Sequence, residues 1–186
     1  IKFLSLTAWL VITRTVDVFA TFQFTPDLQK EANPMVSVFG LHSWSIMLTV
    51  ISLLVAGVIY LYYIHVFKKD LPHPVEKGMA FSEFSGYLFF GEKRPWYHML
   101  YHIPKGLKRN VQVMGVILPY GLAFAGLVST LMWYGIYFLP ELYRPYHSVF
   151  AIWTLLGLGC IASWLIFAWV EFDKYRLKVK AKDAGI

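Results

Sequence analysis

The stretch "ANPMVSVFGLHSWSIMLTVISLLVAGVIYLYYIHVF", residues 32–67, contains no Asp, Glu, Lys or Arg. A helix needs about 20 apolar residues to cross the roughly 30 Å hydrocarbon core of a bilayer. This stretch is long enough, and it predicts a membrane-spanning helix over residues 34–67. Residues 110–140 and 145–170 also lack these four charged residue types. They predict further spans over residues 110–138 and 147–171.

A fourth apolar segment lies at the start of the chain, over residues 3–24, and it contains only Arg14 and Asp17 as charged residues. In the whole chain of 186 residues, 58% are hydrophobic and 15% are charged. A soluble protein has about 25% charged residues. The sequence therefore predicts an all-α, polytopic membrane protein with four transmembrane helices, forming a single membrane domain over residues 1–186.

The distribution of Lys and Arg predicts how the helices are oriented. Eight of these residues fall in the loop 68–109 and five in the basic tail 172–186, whereas the two opposite loops carry only Lys30 and Arg144. Because short cytoplasmic loops are enriched in Lys and Arg, we expect both termini in the cytoplasm and the protein in the cell inner membrane. The net charge of +6 is then an orientation signal, and no nucleic-acid partner is expected.

The cytoplasmic loop contains the aromatic-rich stretch "FSEFSGYLFFGEKRPWYHMLYHIPKGLKRN", residues 81–110. Aromatic residues favour the headgroup region of a bilayer, and amphipathic helices can lie in that plane. We expect one or two short interfacial helices, interrupted at Gly91, Pro95 and Pro104. The same composition also suits docking on a partner subunit.

Arg14 and Asp17 are spaced i, i+3 and therefore share one face of the first helix. A single charge in the middle of a bilayer costs a few kcal/mol or more, and a pair of opposite charges reduces that cost. With Thr13 and Thr21, one turn before and one turn after Asp17, the pair forms a polar stripe. One interpretation is a structural ion pair that fixes the first span against the second and fourth. The other is a polar site for a proton, an ion or a substrate, which would include Glu31.

The stretch Glu31-Ala32-Asn33-Pro34 has the features of a helix start, because Asn is a favoured N-cap and Pro suits the first helical position. An Asp, a Thr four residues later and then Glu-x-Asn-Pro, here Asp17, Thr21, Glu31, Asn33 and Pro34, resemble a family of small uncharacterised prokaryotic membrane proteins over residues 10–60. The resemblance implies a membrane fold with a packed first helical hairpin and implies no particular activity. That family tends to have a Lys in its second span, and this chain has none there.

Histidines occur at two depths of the predicted bundle. His42 and His147 are near the outer ends of the second and fourth spans, and His65 is at the inner end of the second. Two layers of histidine suggest a b-type haem, whose iron takes axial His ligands. His98 and His102, spaced i, i+4 in the inner loop, are a possible metal pair, although they lack the glutamate of an H-E-x-x-H zinc motif. Contacts with the interface or with a partner are the alternative.

Small residues at i, i+4 spacing in the last two spans allow helices to approach closely. These pairs are Gly121 and Ala125, Gly126 and Thr130, and Gly159 and Ser163. They suit a compact bundle or docking to other membrane subunits. We therefore expect an accessory or structural subunit of a larger membrane complex, with no catalytic residues assigned. The alternatives are a small transporter or membrane enzyme using Arg14, Asp17 and Glu31, and a membrane anchor that binds haem b or interacts with quinone.

Overall fold

The computed structural model describes residues 2–28, 36, 40, 42–68, 74, 78–143, 145 and 148–183. These residues are helical apart from short connections, and no strand occurs among them. The α-helices whose bounds lie within these residues are α1 (Lys2–Phe24), α2 (Trp44–Tyr62), α3 (Phe81–Phe90), α4 (Leu107–Phe138), α5 (Pro140–Tyr143) and α6 (Val149–Asp183). A π-helical turn, Tyr63–Phe67, continues α2, and a 3-10 helix, Trp96–Leu100, follows α3.

Four segments are long and apolar enough to cross a membrane: Phe3–Phe24, Trp44–Phe67, Leu107–Phe138 and Phe150–Lys180. The predicted all-α fold class with four spans is thereby confirmed. The first segment has the predicted bounds. The last helix differs from the prediction, because α6 continues to Asp183 and most of the predicted basic tail belongs to it.

The second span begins later than the sequence predicts. Gly40 has a left-handed backbone, with φ +65°, and its N–H donates to the Val36 carbonyl at 3.0 Å. A left-handed residue does not continue a right-handed helix, and glycine adopts this conformation readily. Helix α2 starts after it at Trp44, with the Met47 N–H donating to the Ser43 carbonyl at 2.9 Å. The prediction of one continuous helix over 34–67 was therefore wrong at its amino-terminal end.

The chain divides into two compact units, the first of which comprises Ile1–Tyr60 and Leu118–Cys160. Its core contains Leu10, Val58 and Ala123, one residue from each of α1, α2 and α4. Small residues bring α4 and α6 together: a Cβ on Gly121 would lie 3.1 Å from the Cys160 Sγ. Just after the end of α1, the Pro26 carbonyl accepts a hydrogen bond from the Trp44 indole N–H at 2.6 Å. This bond ties the start of α2 to the end of α1.

The second unit comprises Leu61–Ile117 and Ile161–Ile186. In it, α3 packs on α6, with the Phe84 ring centroid 5.2 Å from that of Phe172 and 5.1 Å from that of Tyr175. The buried Trp164 indole N–H donates to the Ser85 hydroxyl at 3.2 Å. The aromatic side chains that predicted an interfacial helix are thus largely buried inside the protein here. We attribute this to α6, which offers a matching aromatic face.

The predicted interruptions of this loop are confirmed at Gly91 and Pro95. Gly91 ends α3 with φ +81°, and its N–H donates to the Tyr87 carbonyl at 2.8 Å. Pro95 is the residue before the 3-10 helix Trp96–Leu100. The Arg109 guanidinium reaches the end of α3, where its Nη2 donates to the Tyr87 carbonyl at 2.6 Å. A cation at the carboxyl end of a helix is stabilising, because it offsets the partial negative charge of the last carbonyls.

Candidate functional site: a buried polar stripe on the first helix

Arg14 and Asp17 form an ion pair within α1. The Arg14 Nη1 lies 3.0 Å from the Asp17 Oδ2, and the two side chains are only 13% and 8% exposed. The i, i+3 spacing allows this contact without distortion of the helix. The pairing that the sequence predicts is therefore present, and the pair is withdrawn from the surface that would face lipid.

The neighbours of the pair lie on α4. The hydroxyl of Ser129 interacts with the Asp17 carboxylate. One turn earlier, Gly126 stands so close to α1 that an added Cβ would lie 2.8 Å from the Thr13 carbonyl oxygen and 3.2 Å from the Arg14 Cδ. The absence of a side chain at Gly126 is thus what lets α4 reach the charged face of α1. The spacing of Gly126 and Thr130 predicts this close approach, and it is confirmed at Gly126.

Hydrogen bonds continue the polar stripe along both helices. The Trp133 indole N–H donates to the Thr21 hydroxyl oxygen at 3.2 Å, joining α4 to α1. The Thr13 hydroxyl donates to its own helix, with the Trp9 and Leu10 carbonyls at 3.0 and 3.1 Å. The Thr130 hydroxyl likewise bonds the Gly126 carbonyl at 2.8 Å. These three hydroxyl groups are therefore satisfied by the protein itself.

The order of these contacts shows that α1 and α4 run parallel. Going along α1, Thr13 meets Gly126, Asp17 meets Ser129, and Thr21 meets Trp133. At the end of α1, the Phe24 ring stacks on Trp133 and also contacts Tyr137, at centroid distances of 6.0 and 5.0 Å. Residue numbers thus rise together on the two helices, as expected when one further crossing separates them.

Two atoms of the ion pair are buried without a hydrogen-bond partner among the described residues. They are the Arg14 Nε, a donor, and the Asp17 Oδ1, an acceptor. Buried polar groups in proteins are almost always hydrogen-bonded. The pair could therefore hold a small polar group that accepts a hydrogen bond from the Arg14 Nε and donates one to the Asp17 Oδ1.

The structure changes the predicted surroundings of the pair. The sequence interpretation placed the first span against the second and fourth through Arg14 and Asp17. The contacts described above come from the third spanning helix, where Gly126 lets α4 approach this face closely. Glu31 and Asn33 of the predicted polar cluster, and Pro34, lie outside the described residues. Ser129 and Trp133 were not predicted to belong to the site. The sequence signal that could have indicated them is their i, i+4 spacing in the uncharged stretch 110–140.

Four of the six histidines, His42, His65, His98 and His102, lie in the part of the chain that the structure describes. His42 is exposed just before α2, and His65 lies in the π-helical turn. The rings of His98 and His102 have centroids 6.0 Å apart. Within the described ranges, no group of three or more His, Cys, Asp or Glu side chains could hold a metal ion. His147, the proposed partner of His42 for a haem, lies outside those ranges, so the haem hypothesis stays a prediction.

Comparisons with known proteins found no matching family model, no matching curated protein and no matching solved structure.

Proposed function

We propose that this protein is a structural subunit of a larger membrane assembly, located in the inner membrane with both termini in the cytoplasm. The orientation is supported by the concentration of Lys and Arg in residues 68–109 and 172–186. It is tested with a membrane-impermeant thiol reagent on a Lys77→Cys variant. Modification only after the cells are lysed is the expected result, and modification in intact cells would contradict the orientation.

The observation that carries the subunit proposal is a stripe of small side chains on α2. Ser45, Thr49, Ser52 and Ala56 are spaced i, i+4, i+7 and i+11 and are all exposed. This spacing places them on one face of a helix. The Thr49 hydroxyl donates to the Ser45 carbonyl of its own helix at 2.8 Å.

Small residues on a lipid-facing surface favour contact with another helix. Lipid chains are as apolar as leucine side chains, so helices associate in membranes through close packing and hydrogen bonds. The small stripe on α2 contrasts with the large exposed side chains of the same helix, such as Leu53 and Leu54 at 68% and 45% exposure. A helix of another membrane protein could approach the stripe closely, whereas it would be held away from the leucines.

The test is site-specific photocrosslinking in the native membrane, with a photoreactive residue at Ser52 and, as the matched control, at Leu54 on the opposite face. We expect Ser52 to crosslink to one different membrane protein, identified by mass spectrometry, and Leu54 to crosslink only to lipid. In addition, Ser52→Leu should remove that protein from the purified complex. Crosslinks to lipid alone, or to a second copy of this chain alone, would contradict the proposal.

The second candidate function is transport or catalysis at Arg14 and Asp17, and the unpartnered Arg14 Nε and Asp17 Oδ1 favour it. Ionisable residues inside a membrane commonly mark ion or proton pathways. Asp17→Asn keeps the size of the side chain and removes its charge. If the site moves protons, vesicles reconstituted with the wild-type chain should dissipate an imposed pH gradient faster than vesicles with Asp17→Asn. Equal rates, with the variant properly folded, would leave the pair as a structural element.

A further inference from the structure

The turn Leu100–Lys108 exposes an unusual amount of apolar surface. Leu100, Tyr101, Ile103 and Leu107 are 57%, 61%, 79% and 81% exposed. Four large side chains within eight positions are therefore uncovered by the rest of the chain. In α3, which belongs to the same loop, the large side chains of Phe84, Leu88, Phe89 and Phe90 are buried instead.

The turn is held in place by α4. The side-chain amide of Asn110 donates to the Pro104 carbonyl at 2.9 Å and to the Gly106 carbonyl at 3.1 Å. Gly106 has φ +87°, a backbone conformation that suits glycine. Pro104 is buried. The apolar side chains are thus presented by a defined turn.

Position and charge indicate what covers this surface. Leu107 is the first residue of α4, a helix that can span the membrane, so the turn is covalently placed at the boundary of the bilayer. Lys105 and Lys108 alternate with the apolar residues and are both exposed. A surface that combines apolar side chains with lysines matches the boundary between acyl chains and anionic headgroups.

We propose that Leu100–Lys108 is a lipid anchor that inserts into the adjoining leaflet and prefers anionic phospholipids. Ile103 and Leu107 enter the region between headgroups and acyl chains, while Lys105 and Lys108 contact the phosphates. The anchor would fix the depth of α4 in the bilayer. It would also fix the position of the loop that contains α3 and packs on α6. This proposal is independent of the subunit proposal, which concerns the exposed stripe on α2.

The test uses the full chain in lipid nanodiscs. Cys160 is the single cysteine, so Cys160→Ala, or Cys160→Ser if the alanine variant is unstable, provides a background for attaching one nitroxide spin label. The label is placed at Ile103 and, as the control, at Glu92, an exposed polar residue of the same loop. The accessibility of each label is then compared for two paramagnetic relaxation agents, oxygen and a water-soluble nickel complex.

We expect the label at position 103 to be more accessible to oxygen than to the nickel complex, and the label at position 92 to show the reverse. The depth at position 103 should increase when phosphatidylglycerol is added to phosphatidylcholine. The double variant Lys105→Gln/Lys108→Gln should lose this dependence on lipid charge. Equal access of the nickel complex to positions 103 and 92 would overturn the proposal, as would a depth that does not change with lipid charge in the wild-type turn.

Discussion

The carbonyl oxygen of Thr13 lies 2.8 Å from the point at which a Cβ on Gly126 would stand. Carbon and oxygen atoms rarely approach so closely, and here the obstacle is backbone, which cannot rotate away. The contact therefore sets the separation of α1 and α4 beside the Arg14–Asp17 ion pair.

The first prediction concerns Gly126→Ala. The added methyl group must push α1 and α4 apart, and we expect a loss of about 1–3 kcal/mol in the free energy of unfolding, typical of overpacking. Gly57→Ala is the matched control, because Gly57 is also within a helix and has nothing within 4 Å of an added Cβ. There the better helix propensity of alanine should leave stability unchanged or raise it by up to about 1 kcal/mol. The free energy of unfolding of both variants is measured in mixed micelles with increasing amounts of denaturing detergent. Equal changes in the two variants would show that the Gly126 contact does not set the separation of α1 and α4.

The second prediction separates the two interpretations of the ion pair by a double-mutant cycle. Removing one partner leaves the other buried and uncompensated, which costs about 3–5 kcal/mol in buried pairs. Asp17→Leu and Arg14→Met should therefore each be strongly destabilising, whereas the double variant should lose less than the sum. The free energy of unfolding of all four proteins, measured as above, gives the coupling energy. Additive losses would contradict a structural role for the pair.

The third prediction concerns Gly86 in α3. An added Cβ at this position would overlap the Arg94 carbonyl oxygen, which is backbone. Gly86→Ala should release the segment around Arg94 from α3 and increase cleavage by trypsin after Lys93. Gly157→Ala serves as the control, because Gly157 has open space around it. An unchanged cleavage pattern for Gly86→Ala would mean that this contact does not hold the loop.

The fourth prediction concerns the cation at the end of α3. Arg109→Gln removes the charge that interacts with the Tyr87 carbonyl, and a partly buried cation at a helix carboxyl end is worth up to about 2 kcal/mol. Hydrogen exchange at the Gly91 amide, which also bonds that carbonyl, should therefore become faster. Lys108→Gln, an exposed neighbour, should leave the exchange unchanged. If both variants exchange at the wild-type rate, Arg109 does not stabilise the end of α3.

The sequence was sufficient for the fold class and for the existence of four spans, because long uncharged stretches are a strong and local signal. It also predicted the ion pair, since i, i+3 spacing within one helix needs no knowledge of the tertiary structure. The end of α3 at Gly91 was predicted on the same local basis.

The partner of the pair could not be predicted from local pattern. Ser129, Gly126 and Trp133 are separated from Arg14 by more than a hundred residues, and α4 has small residues on more than one face. The start of α2 at Trp44 was missed because hydropathy does not reveal the left-handed backbone of Gly40 that precedes it. The burial of α3 was missed because its aromatic residues suit both a headgroup layer and the matching face of α6.

The parallel course of α1 and α4 also constrains sidedness. Two parallel helices that both cross a membrane enter it from the same side, so an even number of complete crossings separates their first residues. Labelling data that place the start of one of these helices on one side of the membrane would then place the start of the other there as well.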